Sequence, residues 1–204
     1  MNKIKQFVNH PYFCWALLSL PALPMLGLLI STRDPTVYHR LLHPTGEFAA
    51  RFMILAMMIT PLVMLLPSWR GPRWLRQRRR YIGVAAFSYA LVHTVFYLID
   101  AGSVAFSLSE LTKTAIWSGW LAMLIFMPLA ITSTDGWVRE MGSLWKTLQR
   151  TIYIAALATL LHWAALHEWG GVGPALVHFL PLGLLTGYRI FRNASPRRKD
   201  AMSV

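Results

Sequence analysis

Long apolar runs separated by short basic stretches dominate the chain. Residues 12–30, 47–69, 81–99, 114–134, 150–168 and 173–190 are such runs, each near the ~20 residues a helix needs to cross the hydrocarbon core. The pattern predicts an all-α integral membrane protein, a single domain over residues 1–204 built as a bundle of six transmembrane helices. Prolines 21, 24, 61, 128 and 181 fall inside or at the ends of these runs. In lipid the backbone has no better partner than the helix, so they predict kinks rather than breaks. The first run follows Lys3 and Lys5 and is long enough to span, which favours a span over a cleaved leader.

Composition sharpens this picture. Of the 204 residues, 55% are hydrophobic and 14% charged, with a mean hydropathy of +0.44, whereas soluble domains carry about 25% charged residues. The net charge of +12 would suggest nucleic acid in a soluble protein. Here the cations crowd between the apolar runs, as topology signals do, and nucleic acid is excluded as a partner. Lys3 and Lys5, the Arg70–Arg80 cluster, Arg139, Lys146, Arg150 and the basic residues after Tyr188 all fall on one side; the alternate loops hold only Arg33, Arg40 and Lys113. Both termini are therefore expected in the cytoplasm of a multi-pass protein of a bacterial inner (cell) membrane. The arginine cluster reads first as a topology determinant and second as a site for anionic lipid head groups.

Several chemistries are unsupported. Cys14 stands alone, so no disulfide or cysteine metal site forms within the chain. Gly170-Gly171-Val172-Gly173 reads as a turn between spans rather than a nucleotide loop, which places any nicotinamide or flavin domain on another chain. Asp100, Glu110 and Glu168 sit at run boundaries, so no carboxylate lines a transport path.

The informative residues are two histidines. Ionisable groups inside a membrane are costly and usually functional. His93 lies thirteen residues past Arg80 and His162 twelve past Arg150. At 1.5 Å per residue both stand about 18–20 Å from the cytoplasmic boundary, on helices running in the same direction. Two level imidazoles suit bis-histidine ligation of a haem iron. Ala86 and Ala90 near the first, and Ala155, Ala158, Thr159 and Ala165 near the second, leave room for a flat ring. Arg51, one turn inside the second run, is a candidate partner for a haem propionate. His10, His39, His43, His167 and His178 read as interfacial.

These residues also resemble a known family, the haem-binding membrane subunits of periplasmic methionine sulfoxide reductase systems (MsrQ, or YedZ), within the ferric reductase-like transmembrane superfamily. The resemblance covers nearly the whole chain. It rests on His43-Pro44-Thr45-Gly46, Ile59-Thr60-Pro61-Leu62, Arg78-Arg79-Arg80 to Ile82-Gly83, Leu91-Val92-His93, Thr132-Ser133-Thr134, and Trp145-Lys146-Thr147-Leu148 through Tyr153 to Leu161-His162-Trp163. It implies a six-helix bundle binding haem b through His93 and His162, with a quinone or flavin (FMN) as electron source. The implied partners are a periplasmic reductase, or other membrane-complex subunits, and the lipid bilayer. The family usually carries a further histidine thirteen residues before the second ligand; this chain has Gln149. One haem is therefore expected. The implied function is a b-type cytochrome subunit that passes electrons from quinol or a flavoprotein to a periplasmic-side acceptor such as a methionine sulfoxide reductase, and is not catalytic alone. The alternative is a non-redox accessory or scaffold subunit of a larger membrane complex that retains the fold.

Overall fold

The computed structural model describes residues 3–194, and every regular element among them is helical. Three short helices, α1 (Lys3–Asn9), α2 (Pro11–Ser19) and α3 (Ala22–Ser31), lead into two long ones, α4 (Val37–Leu65) and α5 (Arg70–Asp100). After α6 (Val104–Ser109) and a 3₁₀ turn at Glu110–Thr112 come α7 (Thr114–Ile131), α8 (Asp135–Met141), α9 (Ser143–Arg150), α10 (Ile152–Trp169) and α11 (Val172–Ala194).

The first apolar run is not one straight helix. Pro21 lacks an amide hydrogen, and the chain turns by 50° between α2 and α3. The Tyr89 hydroxyl donates to the Leu18 carbonyl at 3.2 Å, satisfying an acceptor at this break. The second and third helices overrun the predicted spans. α4 begins ten residues before residue 47 because Val37, Leu41 and Thr45 are buried, anchoring a turn that looks polar in sequence. α5 has 31 residues, about 46 Å of helix against a hydrocarbon core of about 30 Å. Its extra turns hold the arginine stretch, which is helix rather than loop. The basic residues beyond Ala194 lie outside the described residues.

Length and composition qualify three helices as membrane spans: α4, α5 and α7, with mean hydropathy 2.0, 1.8 and 1.8. The bent α2–α3 pair makes a fourth if counted as one. α10 and α11 do not pass that test; they carry His162, His167 and Glu168, and His178 and Arg189, respectively. Side chains on the outer faces are strongly apolar and exposed, including Leu124, Leu157, Val177 and Leu184. Such a surface is solvated by lipid, not water.

Packing brings helices distant in sequence together. α4 lies along α5, α7 along α10, and α11 closes against α4 and α10. The core is drawn from five helices: Met53 and Met57 of α4, Ala86 of α5, Phe126 of α7, Ala155 and Trp163 of α10, and Phe179 of α11. Small residues line the α7–α10 contact, with Ser118 and Ala155 fully buried. This lets the two backbones approach closely, as membrane helices do without a hydrophobic driving force between them.

The α10–α11 turn is tightly specified. His167, Glu168 and Trp169 all have positive φ (52°, 54° and 72°), a conformation that costs non-glycine residues about 1–3 kcal/mol each. A Cβ on Gly171 would stand 1.9 Å from the Trp163 carbonyl. Only glycine fits there, and the turn folds α11 back so that the His178 ring stacks on Trp163 at 4.7 Å.

Candidate functional site

The tertiary structure brings His93 of α5 and His162 of α10 to opposite walls of one cavity of about 420 Å³. Their ring centroids are 6.1 Å apart and the ring planes lie at 82°. Each ring is oriented by a backbone carbonyl. His93 Nδ1 donates to Leu42 O at 2.9 Å, in the turn of α4 that contains Pro44. His162 Nδ1 donates to Ala115 O at 2.5 Å on α7. A carbonyl only accepts, so in each ring Nδ1 carries the hydrogen and Nε2 keeps its lone pair, the arrangement that prepares a histidine as a metal ligand.

Two glycines complete the cradle. A Cβ on Gly46 would meet His93 Cε1 and Nδ1 at 3.0 Å, and one on Gly119 would meet His162 Nδ1 at 2.7 Å. Each imidazole thus lies flat against a helix where only a hydrogen fits. Sequence reasoning passed over Gly119, Leu42 and Ala115. Its one available signal was a glycine in the middle of an apolar span, where helix propensity alone disfavours it.

This geometry decides what could be held. Two imidazoles on opposite sides of one metal at ~2.0–2.1 Å each would place their centroids about 6 Å apart, near the observed 6.1 Å. Among the described residues no group of three or more His, Cys, Asp or Glu could hold a metal ion. A metal here would therefore bring its remaining ligands with it, as the iron of a porphyrin does. The cavity walls between the histidines suit a flat apolar group: Ala50, Met53, Ala90, Ala122 and Phe126.

At the mouth the lining turns polar. Glu47 borders the cavity one residue from Gly46, and Arg51, a turn further along α4, donates to it at 2.5 Å. Arg51 Nε also donates to His178 Nε2 at 3.3 Å, and His178 Nδ1 donates to Pro174 O at 2.8 Å. Arg51 is thus already paired and does not itself line the cavity; Glu47 does, and is the member that sequence reasoning missed. His39 bridges to Asp100 at 2.9 Å, tying the start of α4 to the end of α5. His43 lies on α4 rather than in a loop, 3.9 Å from Glu47.

Gln149 is half-buried. Its amide donates to Leu129 O at 3.2 Å and Thr132 Oγ1 at 3.5 Å, closing the end of α7.

The helical bundle thus holds two carbonyl-oriented histidines beside one largely apolar cavity. Residues 45–160 match the family described as ferric reductase like transmembrane component, and the chain belongs to that family. More particularly, it is 37% identical over 162 residues to the protein-methionine-sulfoxide reductase heme-binding subunit MsrQ of Xanthomonas euvesicatoria pv. vesicatoria, covering 78% of this chain and 72% of that one. It is 31% identical over 153 residues to the subunit of the same name from Agrobacterium fabrum, covering 74% of this chain and 68% of the relative.

Proposed function

We propose that this chain is the b-type cytochrome subunit of a methionine sulfoxide reductase system, in which His93 and His162 would hold a single haem. The observation that carries this reading is the pair of imidazoles 6.1 Å apart, each with Nδ1 fixed on a carbonyl of a neighbouring helix. The names of the relatives, heme-binding subunits of a protein-methionine-sulfoxide reductase, agree with it. When bound, haem supplies reversible one-electron transfer without a proton on the iron.

The chain's own residues do the rest. Leu42 and Ala115 carbonyls set the tautomer and angle of each ring, and Gly46 and Gly119 let the rings lie against their helices. Ala50, Ala90 and Ala122 keep the slot narrow and dry. Arg51 supplies positive charge on the helix face of Glu47, where a haem carboxylate would compete with Glu47 for it. In the membrane α2–α3, α4, α5, α7, α10 and α11 make six crossings, with the arginine-rich end in the cytoplasm. The histidine slot then lies toward the periplasmic side of a bacterial inner membrane, facing a periplasmic reductase as acceptor. Electrons come from the cytoplasmic side, from a membrane quinol or a flavoprotein carrying FMN, because this chain has no nucleotide-binding unit among its described residues.

The test is a reduced-minus-oxidised spectrum of the full chain purified from haem-replete cells, with haem quantified against protein. The expected result is one low-spin haem per chain, lost in His93→Ala and in His162→Ala while membrane insertion persists. A haem-free wild-type protein would overturn the reading and leave a non-redox scaffold subunit in its place.

A further inference from the structure

At the arginine-rich end a second and larger cavity, about 1060 Å³, opens among α4, α5, α7, α9, α10 and α11. Its rim carries six cations, Arg76, Arg79, Arg80, Lys146, Arg150 and Arg189, over an apolar floor that includes Met57, Phe87, Phe126 and Leu129. The one carboxylate on its lining, Asp135, is held by Arg80. Among the described residues the other five cations have no carboxylate within ion-pair reach. Arg189 donates to the Tyr153 hydroxyl at 2.9 Å and Arg79 to the Thr60 hydroxyl at 3.5 Å, both neutral acceptors. Arg79 and Arg189 both line the same cavity. Like charges gathered around an apolar floor with only neutral partners complement an anion.

The anion is not a second haem, because among the described residues the cavity lining holds no histidine or cysteine and the Gln149 amide is engaged by Leu129 and Thr132. We propose that this cavity binds an anionic phospholipid, its phosphodiester between Arg79 and Arg189 and an acyl chain on Met57, Phe87, Phe126 and Leu129. The floor selects a lipid over free phosphate: a small ion would use the rim alone and leave the apolar surface wet. Basic pockets between helices at the cytoplasmic surface are suited to such head groups. The site is separate from the histidine slot, sharing only its inner wall at Met53 and Phe126, and the proposal does not require that haem be present.

The experiment is native mass spectrometry and thermal unfolding of the full-length protein in a neutral detergent. The probes are dioleoylphosphatidylglycerol, dioleoylphosphatidylcholine, inorganic phosphate, flavin mononucleotide and a short-chain ubiquinone. The expected result is one phosphatidylglycerol per chain, retained about tenfold or more tightly than phosphatidylcholine and raising the unfolding temperature. Arg79→Gln with Arg189→Gln should abolish that preference, while Arg79→Lys with Arg189→Lys keeps most of it and Arg139→Gln, outside the cavity, keeps all of it. Haem loading is read on the same samples, so loss of lipid preference is separable from loss of the haem site or of the fold. Equal retention of the two lipids, equal protection by inorganic phosphate, or displacement of the lipid by stoichiometric flavin mononucleotide or ubiquinone would each overturn the proposal.

Discussion

Replacing Gly119 by alanine separates helix stability from cofactor binding in a way that tests the cradle directly. In the middle of a helix alanine is favoured over glycine by about 1 kcal/mol, so α7 itself should become more stable. The added methyl carbon, however, would stand 2.7 Å from His162 Nδ1. Ordinary contact begins at 3.4 Å, so the ring must move by about 0.7 Å, and the 2.5 Å bond to Ala115 O is lost or bent. That bond orients the ligand, and losing such support lowers metal affinity about 10- to 100-fold, or roughly 1.4–2.7 kcal/mol at 25 °C. Gly46→Ala meets His93 at 3.0 Å and should do less. The assay is haem retention in a chase with apomyoglobin, alongside circular dichroism of the purified protein. The expected order of retention is wild type, then Gly46→Ala, then Gly119→Ala, with helix content unchanged throughout. Wild-type retention and an unaltered low-spin spectrum in Gly119→Ala would refute the idea that the histidine rests against that glycine to receive a metal.

Three further expectations follow from particular contacts. Gln149→Ala should leave haem stoichiometry at one and lower stability by about 1 kcal/mol through its lost amide bonds; Gln149→His should also leave it at one, since among the described residues no histidine lines the cavity that Gln149 borders, as pyridine haemochrome quantification would show. Arg78 is 6% exposed, donates to the Asn9 carbonyl and side chain at 3.2 and 2.9 Å, and stacks on Trp74 at 4.1 Å. Arg78→Ala should cost about 2–4 kcal/mol and expose α1 to proteolysis, whereas a thermal scan unchanged from wild type would count against that anchoring role. Glu110 is held below its ordinary value of 4.5 chiefly by a hydrogen bond from Lys113. Its contribution is therefore complete above pH 4.5 and lost as pH falls through the lowered value, and Lys113→Ala should raise the midpoint read by carboxyl NMR.

The sequence by itself determined the solvent of this protein. Runs of apolar residues near the length of a bilayer, with arginine on alternate loops, leave lipid as the only medium in which the chain can bury its backbone. It also singled out His93 and His162, because a helix rises by a fixed amount per residue and depth can be counted along it. What it did not determine was everything that depends on one helix lying against another. Leu42, Ala115, Gly46 and Gly119 are unremarkable in a linear reading; they matter because α4 and α7 pack beside the two histidines, and only that contact selects the tautomer and clears space for the ring. The pairing of Arg51 with Glu47 and His178 across α4 and α11, and the hydrogen bonding of the Gln149 amide to the end of α7, were equally hidden. The Arg70–Arg80 stretch shows the same limit from the other side. Its charge assigns an end of the bundle, but only the continuation of α5 as helix brings Arg79 to the cavity that Arg189 also lines. Periodicity and charge act along the chain and can be read there, whereas a binding site is made of groups distant in sequence whose meeting depends on helix packing.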